Sequence, residues 1–243
     1  VVERSAIRVA RRGLGPAWTV VVVAVVGFVC LTLSMVVVGG LVTHLGLLGG
    51  LRHWDEHVNR SFAGRRTDRW TRVSAFASGS AETLPIVVGG LLVEAVLALL
   101  RRWRDLLLTA VALLLEITVF LAVNEAVRRP RPSVPRLGSL PRTFSFPSGH
   151  IAATVVLYGC VAMLLSLQFR SRVVSFVSWL IVALAAIAVG TARVYRGMHH
   201  VTDVVAGAAM GSACLLIAAI ATRSSSLAAR SPSPSSEPLS HRS

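Results

Sequence analysis

Apolar positions in this chain neither alternate strictly nor recur as one stripe of a helix; they run on without interruption. Six such stretches, residues 18–42, 84–100, 106–127, 151–167, 173–194 and 201–221, are almost free of charge. Each is close to the roughly 17 to 25 residues that a helix rising about 1.5 Å per residue needs to cross about 30 Å of hydrocarbon. Lipid offers no partners to backbone amides, so a spanning run has to satisfy them within itself and therefore reads as helix. The predicted fold class is all-α: a polytopic membrane protein with six transmembrane helices.

The segments outside these runs differ among themselves. Residues 51–83 mix Trp54, Phe62, Trp70 and Phe76 with charges, the pattern of an amphipathic stretch lying at the membrane interface. Residues 1–17 are basic, and the run that follows is too long for the roughly 7 to 15 apolar residues of a secretory signal, so it reads as a retained span opening a membrane domain over 18–222. Residues 223–243 turn to serine and proline, with too little apolar surface to offset the entropy of ordering, and are expected to be disordered.

Composition sharpens the picture. The chain is 54% hydrophobic with a mean hydropathy of +0.69, well above a soluble domain. Cys30, Cys160 and Cys214 lie inside apolar runs and read as small buried residues rather than ligands or disulfides. The formal charge of +14 comes with basic residues that flank the runs, which favours a membrane over nucleic acid as partner. All 25 basic residues are arginine, and the chain starts Val-Val, features that fit a GC-rich bacterial genome. Arginines at 4, 8, 11 and 12, at 101, 102 and 104, and at 170 and 172 fall on one side of a six-span chain, which the positive-inside rule assigns to the cytoplasm along with both termini. The opposite side is also arginine-rich, around 52–72, 128–142 and 193–196, and that excess against the rule calls for a functional cause.

Six-span counting brings three clusters to that opposite, extracytoplasmic face. The first is Arg128-Arg129-Pro130-Arg131-Pro132, whose guanidinium forks match phosphate oxygens on a proline-stiffened loop. Arg131 and Arg193 are the leading phosphate clamps. The second is Pro147-Ser148-Gly149-His150 at a helix start, where free amides favour an anion, Gly149 admits close approach, and His150 is placed to act as a general acid. The third sets Arg193, His199 and Asp203 as R-x5-H-x3-D. His199 and Asp203 lie one helical turn apart, so the carboxylate can fix one ring nitrogen and leave the other as nucleophile. His200, three residues from Asp203, is the weaker candidate.

In this order and combination the clusters resemble the type 2 phosphatidic acid phosphatase (PAP2) superfamily, over roughly residues 106–221. The resemblance implies a PAP2/haloperoxidase-like helical bundle that hydrolyses a phosphate monoester or pyrophosphate of a lipid without cofactor or metal. It implies that His199 attacks phosphorus to form a phosphohistidine, Asp203 orients it, His150 protonates the leaving group, and Arg131, Arg193, Ser148 and Gly149 bind the phosphate. Two positions depart from the family pattern. Asn124 stands where the first motif opens with lysine, and Ala192 where the third opens with serine. Asn124 still offers a hydrogen bond, and Arg128, a turn further on, replaces the missing charge if the helix extends so far. The alternatives are a lipid phosphotransferase and a degenerate member that binds or transports lipid. Oligomeric state is left undefined.

Three further features read more plainly. Glu94 and Glu116, inside predicted spans, are expected to be buried carboxyls bonded to neighbouring helices. Gly207 and Gly211 form a GxxxG expected to pack helices closely within the bundle. The Asn59-Arg60-Ser61 sequon is set aside in a bacterial reading.

Overall fold

The long apolar runs fold as helices. The structure, a computed structural model, describes residues 15–44, 49–139 and 143–228, and the described residues hold eight helices and no strand. In chain order these are α1 (Pro16–His44), α2 (Gly49–Gly64), α3 (Asp68–Gly79), α4 (Thr83–Leu99), α5 (Trp103–Val127), α6 (Gly149–Phe169), α7 (Arg172–Tyr195) and α8 (Val201–Ala228). The chain is a multi-pass membrane protein: α1, α5, α6, α7 and α8 are each long and apolar enough to cross a bilayer.

The sixth predicted span differs in detail. At 17 residues, α4 reaches only about 25 Å. It passes the same test only together with α3, from which it is bent by 42°. The break falls at Ser80, Ala81 and Glu82, where the Ser80 amide closes on the Phe76 carbonyl and ends α3.

The core lies where α5, α6 and α8 meet, with Val119, Val123, Val156, Ile151 and Met210 fully enclosed. Glycines allow the tight contact between α6 and α8. A Cβ at Gly207 would stand 2.4 Å from the Ser148 carbonyl oxygen, and one at Gly211 2.7 Å from that of Ala152. The GxxxG is thus a packing stripe inside the bundle, as expected. The outer faces of α1, α4 and α7 carry exposed Leu33, Leu91 and Ile187, the apolar surface that a bilayer covers.

Four expectations change. The segment 51–83 is not one interfacial stretch, because α2 and α3 fold over the site end of the bundle and bury Asp55, Asn59, Ser74 and Ser78. Helix α8 runs to Ala228, so the first residues of the expected tail are helical; residues 229–243, like the basic residues 1–14, lie outside the described residues. Cys30 is exposed on the outer face of α1, whereas Cys160 and Cys214 are buried; all three are free thiols. Glu94 does bond a neighbouring helix, accepting from Thr109 of α5, but Glu116 lines a cleft instead.

Candidate active site

The three sequence clusters converge at one end of the bundle, where α5 and α7 finish and α6 and α8 begin. Helix α5 stops at Val127 because Arg128 adopts a left-handed backbone (φ 50°) and its amide closes on the Asn124 carbonyl. The loop that follows returns to α6 through Ser145, whose amide bonds the Arg129 carbonyl, and Ser148, whose amide bonds the Asp203 carbonyl. Loop and α8 are thereby stitched together around two histidines. The rings of His150 and His199 lie with centroids 6.4 Å apart, tilted by 59° to one another.

The state of His199 follows from its partner. Its Nδ1 lies 2.8 Å from the Ser145 carbonyl oxygen. A carbonyl only accepts, so Nδ1 carries the hydrogen and Nε2 keeps its lone pair. Burial pushes the imidazole down to about 4, against the opposing pull of Asp203, with Arg193 and Arg131 lowering it further. Near neutral pH the ring is uncharged, the form a nucleophile requires.

Asp203 was expected to bond His199 directly; instead its nearer oxygen is 3.8 Å from Nδ1. The fully buried carboxylate accepts from the Ser145 hydroxyl, from the His200 backbone amide at 2.8 Å and ring Nδ1 at 3.1 Å, and from Arg129. It therefore reaches His199 both directly, by charge across that 3.8 Å, and through Ser145. Arg129 in turn bridges Asp203 to a second fully buried carboxylate, Asp55 of α2, at 2.9 Å. Asp55 also receives the amide and hydroxyl of Thr202, the residue before Asp203. One buried guanidinium between two buried carboxylates satisfies charges that would be costly alone.

The expected phosphate ligands divide. Arg131 borders the same cleft as His150, His199 and Gly149, anchored by the carbonyls of Thr143, Phe144 and Met198. Burial lowers its guanidinium to about 10, which leaves it charged near neutrality. Arg193 is buried with one Nη1 donating to Ser78 of α3 at 3.0 Å, while its Nε has no hydrogen-bond partner among the described residues. The buried Ser148 hydroxyl is unpartnered in the same sense. Gly149 packs its Cα against the Phe120 ring, so its hydrogen side chain serves packing as well as backbone exposure.

Asn124 and Arg128 belong elsewhere. Asn124 donates both amide hydrogens to the carbonyls of Phe144 and Phe146, at 3.1 and 2.9 Å, and accepts the Phe144 amide at 2.9 Å. With its donors engaged, it shapes the loop and has none left for a phosphate. Arg128 is exposed, pairs with Glu125 and leans over Phe144, because the helix ends before it. It does not stand in for a lysine at 124.

Sequence reasoning missed Asp55, Ser145, Thr202 and Ser78. Asp55 left one trace, an Asp-Asn pair at i, i+4 within an arginine-rich segment. Ser145 left none, since its contact to His199 uses the carbonyl that every residue carries.

From the site a cleft of about 430 Å³ descends between α4 and α5, past Ile86, Val87, Ile117, Phe120 and Leu121. Its lining joins Arg131, His150 and His199 to these apolar side chains and Glu116. Among the described residues no group of three or more His, Cys, Asp or Glu side chains is placed to hold a metal ion.

The chain is 31% identical over 100 residues to lipid phosphate phosphatase delta of Arabidopsis thaliana, covering 37% of this chain and 24% of that protein. It is 37% identical over 91 residues to phosphatidylglycerophosphatase B of Bacillus subtilis strain 168, covering 37% of this chain and 44% of that one. The chain thus spans less than half the length of either relative. Its fold matches the crystal structure of a transmembrane PAP2 type phosphatidylglycerolphosphate phosphatase from Bacillus subtilis, with a TM-score of 0.68 at 24% identity, covering 79% of this chain and 94% of that one. Aquifex aeolicus LpxE follows with a TM-score of 0.52 at 20% identity, covering 67% and 93%. Residues 105–225, which hold every one of the three clusters, match the PAP2 superfamily model, and the chain belongs to that superfamily.

Proposed function

We propose that this protein is a membrane lipid phosphatase that hydrolyses a phosphate monoester or pyrophosphate of a lipid through a phosphohistidine on His199. The observation that carries the reading is that a neutral His199 with a free Nε2 and the neighbouring His150 line one cleft with Arg131, while Ser148 and Arg193 carry buried donors without a partner among the described residues. A buried donor without a partner is costly unless a ligand satisfies it.

The chemistry follows from the geometry. The Nε2 lone pair of His199 attacks phosphorus, and the bond from phosphorus to the lipid oxygen breaks. His150 gives its proton to that oxygen, releasing the lipid alcohol. Water then attacks the phosphohistidine, His150 takes a proton from it, and inorganic phosphate leaves with His199 restored. Arg131 and Arg193 balance the charge on the equatorial oxygens. Ser145, backed by Asp203, holds the tautomer throughout.

The apolar cleft favours a lipid over a soluble ester, the name of the Arabidopsis relative favours a lipid phosphate, and that of the Bacillus relative favours phosphatidylglycerol phosphate within that class. Arginine distribution favours a site on the extracytoplasmic face with both termini in the cytoplasm. The test is phosphate release from a panel of lipid phosphates by purified protein in detergent, beside His199→Ala and His150→Ala. Loss of turnover in both variants is expected; wild-type rates in both would refute the mechanism. Acid-labile label on the protein from a radioactive phosphoryl donor, absent in His199→Ala, would identify the intermediate.

A further inference from the structure

The arginine excess on the site face gains a structural role in a second cavity. This space, of about 410 Å³, shares Arg131 with the lipid cleft but none of the apolar side chains of that cleft. Helix α2 supplies most of one wall. Arg52, Glu56 and Arg60 recur every four residues and form one stripe along it, with His53 beside them. The neighbouring stripe, Asp55 and Asn59, is the buried one that locks α2 to the catalytic turn. His200, just ahead of α8, lines the cavity, its Nδ1 hydrogen given to Asp203 and its Nε2 3.8 Å from Glu56.

The charge balance of the lining is one-sided. Arg129 is neutralised by Asp55 and Asp203, which leaves Arg52, Arg60 and Arg131 facing the single carboxylate of Glu56. The two cavities that share Arg131 thus differ in lining, guanidinium-rich in one and largely apolar in the other. In the cleft a doubly charged anion would lose hydration against Ile86, Val87, Ile117 and Leu121 and would meet the carboxyl of Glu116, at high cost. The guanidinium-lined cavity replaces that hydration with charge-assisted donors.

We propose that the cavity between α2 and the loop at Arg131 binds a phosphate-type tetrahedral anion, a site separate from the one at His199. The assignment rests on the phosphatase reading for its choice of ligand. Two sources carry the same chemistry: inorganic phosphate released by the reaction, and the phosphate of a lipid headgroup.

The first arm needs no turnover. Radiolabelled inorganic phosphate is titrated by equilibrium dialysis onto the full chain in detergent, in the His199→Ala background. The expected binding is about two phosphates per chain, falling to about one when Arg52→Ala and Arg60→Ala are added and returning with Arg52→Lys and Arg60→Lys. Both arginines are exposed, so neither substitution opens the core. Stoichiometry and affinity that ignore both arginines would overturn the proposal.

The second arm uses the protein with His199 intact and a short-chain lipid phosphate as substrate. A rise of about tenfold in the inhibition constant for inorganic phosphate, with KM unchanged, assigns the site to the released product. A comparable rise in KM, with the inhibition constant unchanged, assigns it to the headgroup. If neither constant moves, the cavity is not an anion site. Absence of turnover in the wild-type protein would sink the phosphatase reading alone, since the dialysis arm reads the cavity independently.

Discussion

His199 Nδ1 stands 2.8 Å from the Ser145 carbonyl oxygen, and the hydroxyl of the same Ser145 donates to Asp203. The carboxylate therefore reaches the nucleophile through a serine that binds both. Replacing Ser145 by alanine keeps the carbonyl and removes only the bond to Asp203. A hydrogen bond to a charged group contributes about 1.5 to 3 kcal/mol. If that bond holds the loop in register, kcat falls by roughly 10- to 100-fold with KM little changed. Steady-state kinetics on a lipid phosphate checks this, and an unaltered kcat would show that Asp203 acts on His199 without the serine.

The pH profile offers a second check. Burial holds His199 near 4 rather than at its ordinary 6.5, so the nucleophile becomes protonated only as pH falls through about 4. In kcat/KM, which reports the free enzyme, the acid limb from this group is expected near pH 4 after correction for ionisation of the substrate phosphate. Linkage gives the matching sign for stability. Between about 4 and 6.5 the unfolded chain binds the proton and the folded chain does not, so this group's contribution declines as pH drops from 6.5 and levels off below 4. An enzyme limb near 6.5 that persists with substrates of different phosphate pKa would contradict the buried, neutral ring.

At Asn124 the structure reverses an intuitive repair. Restoring the family lysine would remove the acceptor of the Phe144 amide and place an ammonium where the carbonyls of Phe144 and Phe146 now receive a neutral amide. Each buried group left without its bond costs about 1 to 3 kcal/mol. Asn124→Lys is expected to lower the apparent Tm by several degrees and to decrease kcat/KM. A gain in kcat/KM would mean that the ammonium reaches the phosphate and that the loop tolerates losing its tether.

Much of this site was legible in the sequence because its chemistry sits in contiguous motifs. His150, His199, Arg131 and Arg193 come together at one bundle end as the six-run topology implied. Asn124, Arg128 and Asp55 were not legible for physical reasons. The end of α5 is set by one left-handed residue, Arg128, which no periodicity announces and which turns that side chain outward. Asp55 meets Arg129 across 74 positions, and an acidic residue among arginines in an interfacial helix looks solvated until the helix folds over the site. The bend between α3 and α4 was hidden too, since apolar content counts residues and not their direction.

Asp55 tests whether α2 belongs to the catalytic unit. Asp55→Ala leaves Arg129 buried with one carboxylate and Thr202 without its acceptor, a change of the kind that costs about 3 to 5 kcal/mol. Lower thermal stability is therefore expected whatever the role. The discriminating variant is Asp55→Asn, which keeps the shape and one acceptor oxygen, for the Thr202 amide, and gives up the acceptor that Arg129 uses. It is expected to retain most of the fold yet reduce kcat by about tenfold or more, because Arg129 then pulls harder on Asp203 and weakens its bonds to Ser145 and His200. Full activity in a folded Asp55→Asn would make α2 a cover alone.

The cleft makes the last prediction, because it separates chain recognition from chemistry. Val87 on α4 and Ile117 on α5 are half exposed on its two walls, away from the histidines at its head. A tryptophan at either position narrows the passage without touching Arg131, His150 or His199. Each buried methylene of a lipid chain contributes about 0.8 kcal/mol, so excluding two or three of them raises KM by roughly 10- to 50-fold. Val87→Trp and Ile117→Trp are expected to do so for a long-chain lipid phosphate while leaving kcat/KM for a small soluble phosphate ester near wild type. The soluble ester is the internal control, since it reports the intact head of the cleft. Equal losses on both substrates would place the disturbance in the catalytic residues, and no loss on either would mean that the lipid enters by another route.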